Sequence, residues 1–376
     1  MVHALAIIGG TAMVVAVLLS ALQTVVLPSG NLTAITRFMF ALCDRAFIRR
    51  RGLPARFGWA GLYAPVSLVS LPLAWASVVT MGFALIFWGF DIGGFDEAFA
   101  VSGSSLFTLG FAKPAPSGLV VLTFLEALIG LGLVALLISF LPTLYGAFSD
   151  REKGVALLRP LVSKPASAVA MIERIHNGAA LSSPTVWSPA SAWFADLEQS
   201  HSSFPSLCSF PPQHADESWV VTAGTVLDAA ALLHSSLPED DPARSAEFML
   251  LLAHGIPALD RVAGAAGLPP SDHPTLAEVL QGSGPGAEVA VTRAEFDSAW
   301  ATLTGLGLTL RPDPDDAWRR FTELRACYEP AVLGLAGFAH VPPAPWTSDR
   351  AYVVGRPHFF GSRPLTVRPG TGPAAR

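Results

Sequence analysis

The stretch whose residue types and spacing could do chemistry lies between two apolar segments and is too short to cross a bilayer and return as helices. It is Phe95–Lys113, FDEAFAVSGSSLFTLGFAK, whose first part can form a short helix up to about Ser105 before Thr108, Leu109, Gly110, Phe111 and Ala112 follow. Gly110 permits a left-handed backbone that other residues avoid, and the Thr108 hydroxyl and the successive carbonyls supply oxygens. Other chemistries lack their residues. His176, His201, His214, His234, His254 and His273 form no i, i+4 pair and no HExxH, so no metal site is expected. There is no GxGxxG after a strand, no GxSxG and no P-loop lysine, so no nucleotide fold, no catalytic set and no cofactor are expected, and the chain reads as no enzyme.

The elements that must position this stretch are membrane spans. The chain is 51% hydrophobic and 14% charged, against about 25% charged in soluble domains. Residues 1–150 hold seven Lys/Arg and six Asp/Glu, whereas 151–376 hold seventeen and twenty-three. An apolar part is therefore followed by a mildly acidic one, and neither is basic enough for nucleic acid. Three segments reach the ~20 apolar residues that cross a bilayer. They are Ala4 to about Leu27, Val66 to Phe90 after an interfacial lead-in at Trp59–Pro65, and Gly118 to about Leu141, where Glu126 is the only charge. The first is too long and lacks the basic start of a signal peptide. Trp59, Tyr63 and Trp88 suit the two interfaces.

Arginines set the expected orientation. Arg37, Arg45, Arg49, Arg50, Arg51 and Arg56 face Asp44 alone between the first two spans, which places that loop in the cytoplasm. The N-terminus and the loop with Asp91, Asp96, Glu97 and Lys113 then lie outside, and residues 151–376 lie in the cytoplasm of a plasma-membrane protein. Arg49-Arg50-Arg51 serves this topology or binds anionic headgroups at about 1 kcal/mol per residue. The sequon at Asn31 falls on the cytoplasmic side and reads as accidental.

Thr108-Leu109-Gly110-Phe111-Ala112 resembles the TVGYG selectivity filter of potassium channels. Thr, an aliphatic residue, Gly and an aromatic residue stand in the same order after a Ser-containing short helix. The next span, Leu125–Phe148, looks like the inner helix of bacterial potassium channels, with an acidic residue near its outer end, Glu126, and small residues about one turn on, Gly130 and Gly132. The resemblance covers roughly residues 66–150 and none of 1–40 or 151–376. It implies a homotetramer in the lipid bilayer, because a dehydrated cation needs rings of carbonyl and Thr hydroxyl oxygens and each chain supplies a quarter of every ring. Residues 108–112 would coordinate the permeant ion, potassium or another monovalent cation, and the helix Ala98–Ser105 would pack the filter. The aliphatic and aromatic side chains would then pack behind it. A cytoplasmic regulator is a further possible partner.

Two positions depart from the family pattern. Ala112 stands at the second filter glycine, where a left-handed Cβ costs roughly 1–2 kcal/mol. Lys113 follows the filter in place of Asp. Four lysines at the outer mouth contribute about 0.4 kcal/mol each at ~10 Å in water, less once screened. Glu126 either braces the filter region or is a hydrogen-bonded structural acid, and Gly130 and Gly132 form either a gating hinge or close-packing positions. The rival reading is a non-conducting membrane protein that keeps the pore fold as an oligomerisation platform.

The expected fold class is thus an all-α membrane protein. Three transmembrane helices carry a re-entrant pore loop between the second and third, ahead of a mostly helical cytoplasmic C-terminal domain. The divisions are 1–30 for the first span, 31–65 for the Arg-rich loop and interfacial segment, 66–150 for the pore domain, 151–341 for the helical domain and 342–376 for a Pro/Gly/Arg-rich, mainly disordered tail. Apolar spacings of 3 and 4 predict helices over Ser218–Leu237, Ala243–Ala266, Arg293–Leu306 and Asp315–Tyr328, the last capped by Asp313, Asp315 or Asp316. Gly178–Pro189, Pro211–Glu217, Pro238–Pro242 and Gly282–Gly286 read as loops. Cys43, Cys208 and Cys327 are too scattered for a disulfide framework or a zinc ribbon. Trp187, Trp193, Phe194, Trp219, Trp300 and Trp318 read as core or subunit-interface residues.

Overall fold

The computed structural model describes residues 1–25 and 59–350, apart from single residues and short stretches in loops, together with strands at 353–354 and 367–368. Of residues 59–69 it describes the helical backbone alone. The six-arginine loop, Cys43 and the sequon lie outside the described residues. The chain forms two units, Met1–Gly146 and Ala147–Arg376. Among the described residues it is helical but for one two-residue antiparallel ladder, Val353–Val354 with Val367–Arg368.

In the first unit, α1 (Val2–Val25) and α2 (Trp59–Gly89) run antiparallel. His3 stacks on Trp88 with ring centroids 5.5 Å apart, while Gly10 lies against Gly82. A Cβ at Gly82 would stand 2.9 Å from the Gly10 carbonyl oxygen, and one at Gly89 would stand 2.8 Å from that of His3. The two backbones touch along a glycine seam, the close approach available to helices without a hydrophobic drive between them. The sequence leaves the place of the first span open; it packs on α2. The expected interfacial lead-in at Trp59–Pro65 is not a separate element, because α2 runs unbroken through Pro65 and Pro72. At about 46 Å it exceeds the ~30 Å hydrocarbon core.

Next come α3 (Phe95–Leu106), a 3₁₀ turn at Ser117–Leu119 and α4 (Val120–Leu158), which passes Pro142 without a break. The twelve residues of α3 rise about 18 Å, too little to cross a bilayer. Its buried residues Ala98, Val101 and Leu106 join Leu71, Trp75, Val79, Phe83 and Phe87 of α2 and Leu133 of α4 in one apolar cluster.

The second unit holds α5 (Ala168–Asn177), α6 (Pro184–Ser203), α7 (Trp219–Ser236), α8 (Ala246–Ala265), α9 (Leu276–Leu280), α10 (Arg293–Gly305), α11 (Pro314–Ala326) and α12 (Glu329–Ala339). Its core surrounds α7, in which every residue but His234 is buried. The four helices predicted here match α7, α8, α10 and α11 within three residues, and Asp313 caps α11 by accepting from the Asp315 amide at 2.9 Å. The loop expected over Gly178–Pro189 is a correction. Ser183 and Pro184 read as breakers, but Ser183 is the N-cap and Pro184 the first helical residue of α6, where proline needs no N–H partner.

Within the tail expected to be mainly disordered, Ala344–Arg350 is packed: Thr347 is 0% exposed and Trp346 packs on Phe321 with ring centroids 5.7 Å apart. Gly224 of α7 makes the room, since a Cβ there would meet Thr347 Oγ1 at 3.1 Å. Beyond Arg350, all but the two short strands lies outside the described residues.

Among the described residues, four helices are long and apolar enough to cross a membrane: Val2–Thr24, Ser70–Gly89, Ser117–Leu158 and Ala246–Ala265. The last was not among the expected spans. It has the lowest mean hydropathy of the four, 1.2, and buries Phe248, Leu251, Leu252, Leu259 and Val262 in the core around α7.

Candidate functional site

The five loop residues are held by the C-terminal end of α3. Phe107 is its C-cap, and the Thr108 amide donates to the Ser105 carbonyl at 3.0 Å. The Leu109 and Gly110 amides both donate to the Ser104 carbonyl, at 2.8 and 3.3 Å, and the Ala112 amide donates to Ser104 Oγ at 3.0 Å. The pairing of 109 with 104 and of 108 with 105 is a Schellman closure, which requires a left-handed residue at position 108. Thr108 takes it, with φ 55°, and Gly110 follows at φ 75°. Handedness therefore changes along the loop, and a β-branched residue in the left-handed region stores strain of order 1–3 kcal/mol. The cost anticipated at Ala112 falls on Thr108 instead, because Ala112 has no positive φ.

Thr108, Gly110 and Lys113 are exposed. Leu109 and Phe111, expected to pack behind the loop, are 64% and 71% exposed within one chain. Phe107 is exposed too, as are Phe124, Leu128, Leu131 and Ile138 of α4.

Behind the loop lies a buried polar link that spacing alone does not reveal. Ser102 Oγ of α3 stands 2.8 Å from the Thr80 carbonyl of α2 and 2.5 Å from Glu126 Oε1 of α4. Glu126 is fully buried, and its Oε2 has no hydrogen-bond partner among the described residues. One hydroxyl thus ties the short helix to both long ones, and Glu126 is a buried, hydrogen-bonded acid at that junction. Gly130 is a packing position: a Cβ there would lie 3.1 Å from the Leu106 carbonyl carbon and closer still to its oxygen. Gly132, two residues on, has nothing within 4 Å.

The second unit holds a buried ionic network that the sequence reading missed. Arg325 pairs with Asp228 and, at 2.6 Å, with Glu329, and it also donates to the Trp346 carbonyl. Tyr328 Oη donates to Asp228 at 2.7 Å, and the Ala290 amide donates to Glu329 at 2.7 Å. Burial pushes the Asp228 carboxyl up and Arg325 opposes it. The signal available was Asp228 itself, the lone carboxylate in the apolar run Trp219–Ser236. Ser191 Oγ lies 2.5 Å from His254 Nδ1, but no carboxylate orients that ring among the described residues, so the pair lacks the third member of a hydrolytic set. No group of three or more metal-ligating side chains occurs among the described residues.

Comparison with protein-family models, with curated proteins and with solved structures finds no match to this chain. The likeness to a potassium-channel filter rests on residues 108–112 and the helices around them.

Proposed function

We propose that the chain is a pore-forming membrane protein, a homotetrameric cation channel of potassium type, with Thr108–Ala112 facing the ion path. The observation that carries the reading is α3: a short, half-buried helix that contacts two long apolar ones and ends in a loop with left-handed residues at 108 and 110. Such a segment is too short to span, so at membrane depth it must line a cavity or be buried in protein. The three spans are α1, α2 and α4, the N-terminus lies outside, and α8 belongs to the cytoplasmic core.

The test is cation flux into liposomes, potassium against sodium, for the parent, Gly110→Ala and Lys113→Asp. The expected result is loss of flux for Gly110→Ala at any ionic strength, since its φ of 75° strains any Cβ. Lys113→Asp raises flux at low salt and less at high salt. Conduction by Gly110→Ala at the parent's rate would remove residues 108–112 from the ion path.

A second reading, a non-conducting oligomerisation platform, is favoured by the exposure of Leu109 and Phe111 and by the use of three loop amides to close α3 on Ser104. An oligomer that passes no ion, with no rescue by Lys113→Asp, selects it.

A further inference from the structure

At the end of α7, cations converge without matching anions. Arg244 Nη2 donates to His234 Nε2 at 2.9 Å, and among the described residues Arg244 forms no ion pair. Arg311 is anchored beside it by its own amide, which donates to the Ser236 carbonyl at 2.8 Å. Arg311 and Arg320 share one oxygen of Glu239, at 3.5 and 3.3 Å, and share Asp316, at 3.7 and 2.8 Å. Asp316 also serves Arg319 at 2.5 Å. One guanidinium therefore holds the imidazole, and two more, which share two partly committed carboxylates, act on it through their charge.

The Nε and Nη2 edge of a guanidinium is the fork that grips an oxyanion with two parallel bonds. In Arg311 that edge is half used. Nη2 reaches Glu239 only at 3.5 Å, while Nε is buried with no hydrogen-bond partner among the described residues. Ser236 Oγ and His234 Nδ1 are likewise buried without partners among them. A guanidinium only donates, so His234 Nε2 accepts and the ring proton sits on Nδ1. Burial first, and then the Arg244, Arg311 and Arg320 charges, push the His234 imidazole down to about 4, as an electropositive site would. Glu239 is 66% exposed, on the turn closed by the Asp241 amide and the Pro238 carbonyl, and can swing away.

We infer that Arg244, Arg311 and Arg320 form a binding site for a phosphate-ester dianion, in which Glu239 acts as the internal anion that the ligand displaces. The phosphate can come from a soluble ester or from a lipid headgroup. This site is independent of the pore reading.

Calorimetric titration of the full chain in phosphatidylcholine nanodiscs with pyrophosphate tests it. Saturable binding is expected, tightened several-fold by Glu239→Gln and weakened about tenfold by Arg244→Ala and by Arg311→Ala, with Arg261→Ala, at an exposed arginine of α8 paired with Glu198, unchanged. Nanodiscs that also carry phosphatidic acid separate the sources. A headgroup ligand competes and lowers the apparent pyrophosphate affinity, whereas a soluble ligand leaves it unchanged. Circular dichroism melts establish that each variant folds, and Glu239→Gln, on an exposed side chain, carries the test if Arg311→Ala does not. Absence of saturable binding in both parent and Glu239→Gln overturns the site, as does binding that survives loss of Arg244.

Discussion

Gly130→Ala and Gly132→Ala form a matched pair on one helix, and the difference between them measures the contact that seats α3. Both gain the same helix propensity, up to about 1 kcal/mol over glycine, so that contribution cancels in the comparison. At Gly132 the new methyl meets nothing within 4 Å. At Gly130 it meets the Leu106 carbonyl oxygen, the carbonyl carbon at 3.1 Å and Leu106 Cδ1 at 3.2 Å. Carbon atoms rest at about 3.5–4.0 Å, and the carbonyl oxygen stands nearer than either carbon, so the end of α3 must move by about an ångström. Its obstacle is backbone, not the tip of a flexible side chain, and overpacking of this kind costs roughly 1–3 kcal/mol. The Ser104 carbonyl and hydroxyl that hold the Leu109, Gly110 and Ala112 amides move with it. The assay is the inactivation half-life of the detergent-solubilised protein at a fixed elevated temperature, followed by loss of the folded oligomer on size exclusion. Gly130→Ala should lose fold about tenfold or more faster than Gly132→Ala. Equal half-lives, or a worse Gly132 variant, would refute the claim that α3 is seated by this contact.

Three further outcomes follow from the second unit. A stop after Val341 removes Trp346 and Thr347 from the core and strands an Arg325 donor, so it should cost several kcal/mol in a thermal melt, clearly more than a stop after Arg350, which keeps both. Burial holds His201 at about 3 and, with nearby arginines, His234 at about 4, below the unfolded 6.5. Below pH 6.5 the unfolded chain takes protons that the folded chain refuses, so stability should fall by about 1.4 kcal/mol per imidazole per pH unit down to about pH 4, and His201→Leu should flatten the slope measured by tryptophan fluorescence. In a Cys43→Ser background, Cys208 and Cys327, both buried and pushed up to about 12 by that burial, should resist thiol reagents at pH 8 until the protein is unfolded.

Helices with one apolar stripe or face were legible from spacing, and α7, α8, α10 and α11 show how far that reaches. α5 and α12 were missed and α6 was read in part as loop, because α6 opens on Ser183-Pro184 and carries Pro189, and proline near a helix start looks like a break until its position is known. The short helix and its loop were legible as a stretch too short to cross. What closes the loop was not, since two of the three amides go to the Ser104 main-chain oxygen, which any residue type could supply, and Ser104 Oγ is one hydroxyl among three in the helix. Ser102 and Thr80 are 22 residues apart, and no local pattern predicts their meeting. Arg325 and Asp228, 97 residues apart, are harder still, although a lone carboxylate in an apolar helix asks for such a partner. Trp346 hid in a Pro-rich context that reads as disorder, yet it is held at φ 62° by the core it completes.

That last feature bears on how the protein is made. Gly224 leaves a notch in the most buried helix, and Thr347 fills it from a point more than a hundred residues later in the chain. During synthesis the helices on either side of the notch emerge first and wait with it empty. Asp228, Arg325 and Glu329 wait too, with one guanidinium donor unmet until the Trp346 carbonyl arrives. The unit therefore passes through a state nearly complete in secondary structure but open at its centre, with apolar side chains such as Phe321 and Val332 uncovered there. States of that kind are the ones that aggregate or recruit chaperones. A chain stalled before residue 344 would be held in it, and substitutions at Trp346 or Thr347 would be felt first as lower yield of folded protein.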